Sequence, residues 1–267
     1  MKTLTIRILI HLILLILLMY ALPLSAQSQQ GAYLKVDYLL IEAEDTENFL
    51  YQLQNSRKLL RDNQMHEGEI IRWQFYKVIY PGSHGHDYNY ISVTVANSLS
   101  AFETNPRLRP GTGNRNSGQP GFFELNGNIR HSELWRVKNS ILKSDADLET
   151  PSRYLMIDYM EVVPGREFEY QMFEDEVAKP LHEERMNLDR MDGWELYELI
   201  MPGGLNYGYN FATGNYFRNL EHIEFGFTDE LIRQTHPDTD IMEFFETIFE
   251  TRDLVQSELW ELVEYAE

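Results

Sequence analysis

Tyr33-Leu34-Lys35-Val36-Asp37-Tyr38 returns 121 positions later as Tyr154-Leu155-Met156-Ile157-Asp158-Tyr159. The likeness runs without a gap from residues 33–90 onto 154–211, with 14 of 58 positions identical, where average composition gives roughly three or four. Trp73, Tyr76, Pro81-Gly82 and Tyr88-Asn89 recur as Trp194, Tyr197, Pro202-Gly203 and Tyr209-Asn210. Ser132-Glu133-Leu134-Trp135 recurs as Ser257-Glu258-Leu259-Trp260, now shifted by 125. The chain is a duplication, so each element can be read twice.

Tyr33 to Ile41 and Tyr154 to Val163 are short and rich in β-formers, which predicts strands. A helix follows, with Phe49, Leu53 and Leu60 in one copy and Phe168, Met172 and Leu181 in the other at helical spacing. Pro180 should kink the second of these. Trp73 to Tyr80 and Trp194 to Met201 run into Pro-Gly, and Tyr88 to Val95 and Tyr209 to Thr213 are the return strands of hairpins. Short helices are expected near Leu99 to Glu103, Asp229 to Thr235 and Asp240 to Thr251, before each Ser-Glu-Leu-Trp strand. The order is β-α-β-β-α-β twice, a ferredoxin-like pattern and an α+β class. Thr104 to Gly121, rich in Gly, Pro, Asn and Arg, reads either as a long loop that could act as a lid or as disorder.

These features resemble the dimeric α+β barrel group of antibiotic-biosynthesis monooxygenase-like, EthD-like and NIPSNAP-like domains. The segments that carry the resemblance are Pro180-Leu181-His182-Glu183-Glu184-Arg185 and Gly193-Trp194-Glu195-Leu196-Tyr197. It implies two units packed sheet to sheet, here closing one barrel within a single chain around a small-molecule-sized cleft. Members of the group include cofactor-free oxygenases, haem enzymes and proteins without known activity, so the likeness implies no one reaction.

Residues 1–26 read as a signal peptide: Lys2 and Arg7 precede an apolar run that ends at Ser25-Ala26. Leu24 stands where a small residue is preferred, so an uncleaved anchor is the alternative. The expected units are 27–139 and 154–267, with 140–153 as linker. Without Lys2 and Arg7 the chain carries 21 basic against 42 acidic side chains, a formal charge of −21. Such a field repels nucleic acid and anionic lipid. The absence of cysteine excludes disulfides and thiolate chemistry. The combination fits a bacterial periplasmic or secreted protein, monomer or homodimer, that meets no membrane after cleavage.

For chemistry, His182 is the candidate general base, with Glu183 and Arg185 beside it; a capping or surface histidine is the plainer alternative. Asp37 and Asp158 sit inside strands, where Asp is disfavoured, and are read as structural hydrogen-bonding groups before catalytic bases. Tyr76, Tyr197, Asn89 and Asn210 either line the cleft or pin the hairpins. Trp73, Trp194, Trp135 and Trp260 are core residues first and stacking platforms for a ring-shaped ligand second. His84-Gly85-His86-Asp87 has metal-ligand chemistry, but its counterpart Leu205-Asn206-Tyr207-Gly208 has none, so a solvated turn is favoured and no metal is expected. Haem has only His182, His222 and His236 to recommend it, and no cofactor is expected. Phosphate-loop, nucleophile-elbow and His-Glu-x-x-His patterns are absent. The leading expectation is a binder of a small, partly apolar molecule, as a cofactor-independent oxygenase or isomerase if it is an enzyme. The rival is a non-enzymatic envelope interaction protein, which predicts a filled barrel and an apolar outer patch.

Overall fold

The computed structural model describes residues 31–63, 70–83, 87–104, 129–143, 150–204, 206–238 and 240–266, with backbone only at 55–63 and 241–245. The expected signal peptide, His84 to His86 and nearly all of the Thr104 to Gly121 segment lie outside these residues.

In the first half, β1 (Tyr33–Leu39), α1 (Thr46–Asn63), β2 (Ile70–Tyr80), β3 (Tyr90–Ala96), α2 (Ala101–Thr104) and β4 (Ile129–Leu142) follow in order. The second half repeats this as β5 (Tyr154–Val162), a long helical run, β6 (Gly193–Met201), β7 (Phe211–Phe217), α5 (Leu220–Phe225), α6 (Asp229–Thr235), α7 (Ile241–Thr251) and β8 (Arg252–Ala266). The helical run comprises α3 (Glu167–Phe173), a π-helical turn (Glu174–Ala178) and α4 (Lys179–Asn187). Pro180, at the start of α4, explains the π turn: it has no N–H to donate back, and the ladder widens by one residue just before it. β4 continues to Leu142, inside the segment expected to be linker, and α5 carries His222.

Each half has the ferredoxin-like strand order 4-1-3-2, and the halves join edge to edge. β2 pairs with β8 and β4 with β6, all antiparallel, giving the closed barrel β1-β3-β2-β8-β5-β7-β6-β4. Closure removes every open sheet edge. β3 and β7, central in their halves, are buried along their whole length because both faces are covered.

Alternation along the strands sorts side chains into two layers. Inward residues from all eight strands form one cluster, including Leu34, Val36, Tyr38, Tyr76, Val93, Trp135, Ile157, Tyr159, Tyr197 and Trp260. Outward residues meet the helices: Leu39, Trp73, Phe75 and Tyr90 pack on Phe49 and Leu53 of α1, while Trp194, Leu196 and Phe211 pack on Tyr170 of α3. Burying one such large apolar side chain contributes about 1.5–3 kcal/mol.

Candidate functional site

The barrel interior, expected to be the cleft, is occupied by the protein's own side chains. Glu133, fully buried, accepts hydrogen bonds from Tyr38 (2.7 Å), Trp135 Nε1 (2.9 Å), Tyr207 (2.5 Å) and Tyr209 (2.5 Å). Its counterpart Glu258 accepts from Tyr88 (2.5 Å), Trp260 Nε1 (2.9 Å) and the Gly82 amide (3.0 Å). Each carboxylate therefore takes a tyrosine from the opposite half. Elsewhere in the interior, Glu195 accepts from Arg72 Nη2 (3.2 Å), Tyr197 (2.7 Å) and Tyr216 (2.5 Å). Buried carboxylates persist only when so bonded. Burial and the adjacent carboxylates push these tyrosines far above the ordinary phenol range.

Tyr76 and Tyr197, read as lining the cleft or pinning the hairpins, and Trp73 and Trp194, read as core first, fall on opposite faces of the sheet. Tyr76 and Tyr197 point into the barrel, whereas Trp73 and Trp194 lie on the outer face beneath the helices; adjacent layers of a strand face opposite ways. Trp135 and Trp260 are interior core residues whose indoles serve Glu133 and Glu258. Asn89 and Asn210 clamp backbone instead of facing a ligand: each amide bonds both the N–H and the C=O of one residue, Ile41 and Val162 respectively. Asp37 accepts from Ser132 (2.5 Å) and pairs with Lys35 (2.6 Å). Asp158 accepts from Ser257 (2.5 Å) and Asn215 (3.1 Å).

The duplication supplies an internal control for the helix–sheet layers. In the first half, among the described residues, Phe49 and Leu53 cover the layer and Trp73 Nε1 donates to Ser92 (3.0 Å). In the second half the aligned residues are Tyr170, Glu174 and Trp194, and the buried face of the helical run continues through Ala178, Leu181, His182 and Arg185. Here Trp194 Nε1, His182 Nδ1 and Arg185 Nε are buried without a hydrogen-bond partner. His182, 5% exposed, stacks on Trp194 with ring centroids 5.3 Å apart and meets Phe227 at 5.1 Å. Arg185, 4% exposed, lies between the rings of Phe217 (5.4 Å) and Phe227 (5.3 Å). No carboxylate among the described residues forms an ion pair with it.

Burial, and then the neighbouring Arg185, hold the His182 imidazole well below its usual range, so the ring is neutral near pH 7. Burial lowers Arg185 to about 10 despite the field of Asp158. Burial also raises Asp158 and pushes Glu174 up to about 7. Glu174 went unnoticed in the sequence, although its aligned partner is the core residue Leu53 and the exchange of a leucine for a carboxylate was legible there.

Of the other histidines, His222 lies within 3.5 Å of Asn219 Nδ2 and His236 Nε2 is 3.0 Å from the Val177 carbonyl. No group of three His, Asp or Glu among the described residues could hold a metal. His182 is buried and packed against Trp194 and Phe227.

Two β-α-β-β-α-β halves closing one eight-stranded barrel define an intramolecular α+β barrel of the dimeric ferredoxin-like type. Solved structures share it. A monooxygenase-like protein from Lactobacillus acidophilus NCFM is 11% identical with a TM-score of 0.57, covering 89% of this chain and 96% of that one. Another, from Fusobacterium nucleatum, is 10% identical at 0.52, covering 90% and 95%. An anthrone oxidase-like protein is 10% identical at 0.50, covering 91% and 95%. At such identities the likeness shows the fold. No family model matches the sequence, and no curated protein does.

Proposed function

We propose that the chain is an exported protein that binds a small, partly apolar molecule in the helix–sheet layer of its second half. The observation that carries this reading is the contrast between the halves. The same indole is hydrogen-bonded in one layer and orphaned in the other, beside an orphaned histidine and arginine. Buried polar groups without partners are costly, and three of them gathered around one ring stack are the mark of a site that keeps donors in reserve for a ligand.

The neutral His182 suits a general base that removes a proton from a bound acid, the step shared by cofactor-independent oxygenases and isomerases. The monooxygenase-like and anthrone oxidase-like neighbours are compatible with that chemistry. Phe227, 42% exposed and in contact with both His182 and Arg185, connects the layer to solvent. It follows Gly226, whose backbone (φ 53°, ψ −152°) suits glycine, so the turn that carries the ring depends on that residue.

The test is native mass spectrometry with an absorbance spectrum on residues 27–267 purified from the natural host. A small molecule retained by the wild type and lost from His182→Ala supports the reading; retention in that variant refutes the site. The interaction-protein reading draws on the filled barrel and on Phe168 and Phe249, 75% and 72% exposed on neighbouring helices. It predicts a clean mass and a co-purifying protein released by Phe168→Ser with Phe249→Ser. Export predicts that the mature protein from the host begins at residue 27.

A further inference from the structure

Arg185 is the least explained charge among the described residues. A guanidinium is the most strongly solvated part of its side chain, and sheltering it without a counter-ion is expensive. The second half does so while surrounding it with the flat faces of two phenylalanines, an arrangement that fixes the guanidinium plane. The other groups facing it are accounted for. Asp158 attracts it from a distance, but its own oxygens accept from Ser257 and Asn215. His182, two residues after the proline at the start of its helix, is uncharged, and Trp194 offers only an N–H. Apart from Glu174, held protonated up to about 7, and Asp158, already bonded to Ser257 and Asn215, the layer presents donors rather than acceptors, and its walls are aromatic.

We infer that the molecule held in this layer is a planar organic anion, its charge on oxygen as a carboxylate, phenolate or enolate, with Arg185 receiving that oxygen. The proposal rests on the reading of this layer as the binding site. The phenyl rings accept the apolar body, the guanidinium pairs with the anion through its fixed fork, and the Trp194 indole N–H is a further donor. Glu174 and Asp158 bias the layer against a dianion, because they already place acidic groups along the same helix–sheet seam.

Isothermal titration calorimetry of the mature protein with 1-naphthoate, its neutral counterpart 1-naphthamide and inorganic phosphate tests it. Naphthoate is expected to bind about tenfold to a hundredfold more tightly than the amide, the range of a charge-assisted hydrogen bond, and phosphate not to compete. Arg185→Met, which preserves length and packing between the rings, is expected to bring naphthoate down to the affinity of the amide. Arg185→Lys, which keeps the charge without the fork, should restore part of the difference, and thermal midpoints of both variants report whether they fold. Equal binding of naphthoate and naphthamide, unaffected by Arg185→Met, would overturn the anion while leaving a small-molecule site standing. Competition by phosphate would overturn the planar body. No binding of either aromatic probe would overturn both the anion and the underlying site.

Discussion

The hydroxyls of Tyr38 and Tyr159 lie 3.0 Å apart inside the barrel, and the two residues hold the same position in the two repeats. A contact between equivalent residues puts the local two-fold axis of the duplication between them. Around this axis the two halves exchange hydrogen bonds, Tyr209 to Glu133 and Tyr88 to Glu258, so the interior is a shared core and neither half owns it.

Tyr159→Phe removes only the hydroxyl contact and is expected to cost about 1 kcal/mol. Tyr38→Phe also strips a donor from the buried Glu133 and should cost about 2 kcal/mol, since bonds to charged groups are the stronger ones. Denaturant unfolding of the two variants measures the difference; equal losses would mean that Tyr38 does not support Glu133.

Arg72 and Glu195 join β2 of one half to β6 of the other at 3.2 Å, with side chains 9% and 0% exposed. Arg72→Met leaves a buried carboxylate without its cation and is expected to destabilise by about 3–5 kcal/mol. Adding Glu195→Gln should recover most of that loss, and a double-mutant cycle by chemical denaturation reads it directly.

Glu174 and His182 make opposite contributions to the pH dependence of stability. The folded protein keeps a proton on Glu174 up to about 7, while the unfolded chain loses it near an ordinary glutamate value of about 4.3. Its contribution is therefore present at low pH and lost as pH rises through that interval. For His182 the unfolded ring takes up a proton below about 6.5 that the buried ring refuses, so stability falls as pH drops below that value. Relative to wild type, Glu174→Gln should make the melting temperature rise more steeply from pH 5 to 6.5, and His182→Asn should make it rise less. Each kcal/mol corresponds to roughly 2–4 °C. Thermal scans across the interval decide it, and unchanged slopes would mean that neither group is held in its abnormal state. Tyr170, Arg252, Asp158 and Asp175 are the neighbours that tune Glu174.

Trp73 and Trp194 offer a matched pair. Trp73→Phe breaks the bond to Ser92, whereas Trp194→Phe breaks none. The first is expected to cost about 1 kcal/mol more than the second, and only the second should weaken retention of a bound molecule. Urea titrations and native mass spectra of both variants make the comparison.

The repeat itself, with its strand-helix order and its hairpins ending at Pro-Gly, was legible because periodicity and turn chemistry are local properties of the chain. The same locality made His182 and Arg185 visible as polar residues just beyond Leu181, the counterpart of Leu60. The recurring Ser-Glu-Leu-Trp also carried more than was read from it: period-two alternation puts Glu133 with Trp135, and Glu258 with Trp260, on one face, and that face proved to be the interior. The clamps at Asn89 and Asn210 were open to either reading, because an amide in a turn serves backbone and ligand with the same atoms.

By itself the sequence determined the duplicated α+β order and the two layers into which each strand divides its side chains. Which layer was full and which held orphaned donors depended on barrel closure. Pairing β2 with β8 and β4 with β6 brings carboxylates and tyrosines from distant positions together inside, where they hydrogen-bond one another. The π turn before Pro180 meanwhile presents Glu174, His182 and Arg185 to a sheet face with no acceptor to spare. Those partnerships join residues separated by tens to more than a hundred positions, and no local pattern encodes whether a buried group will meet its complement.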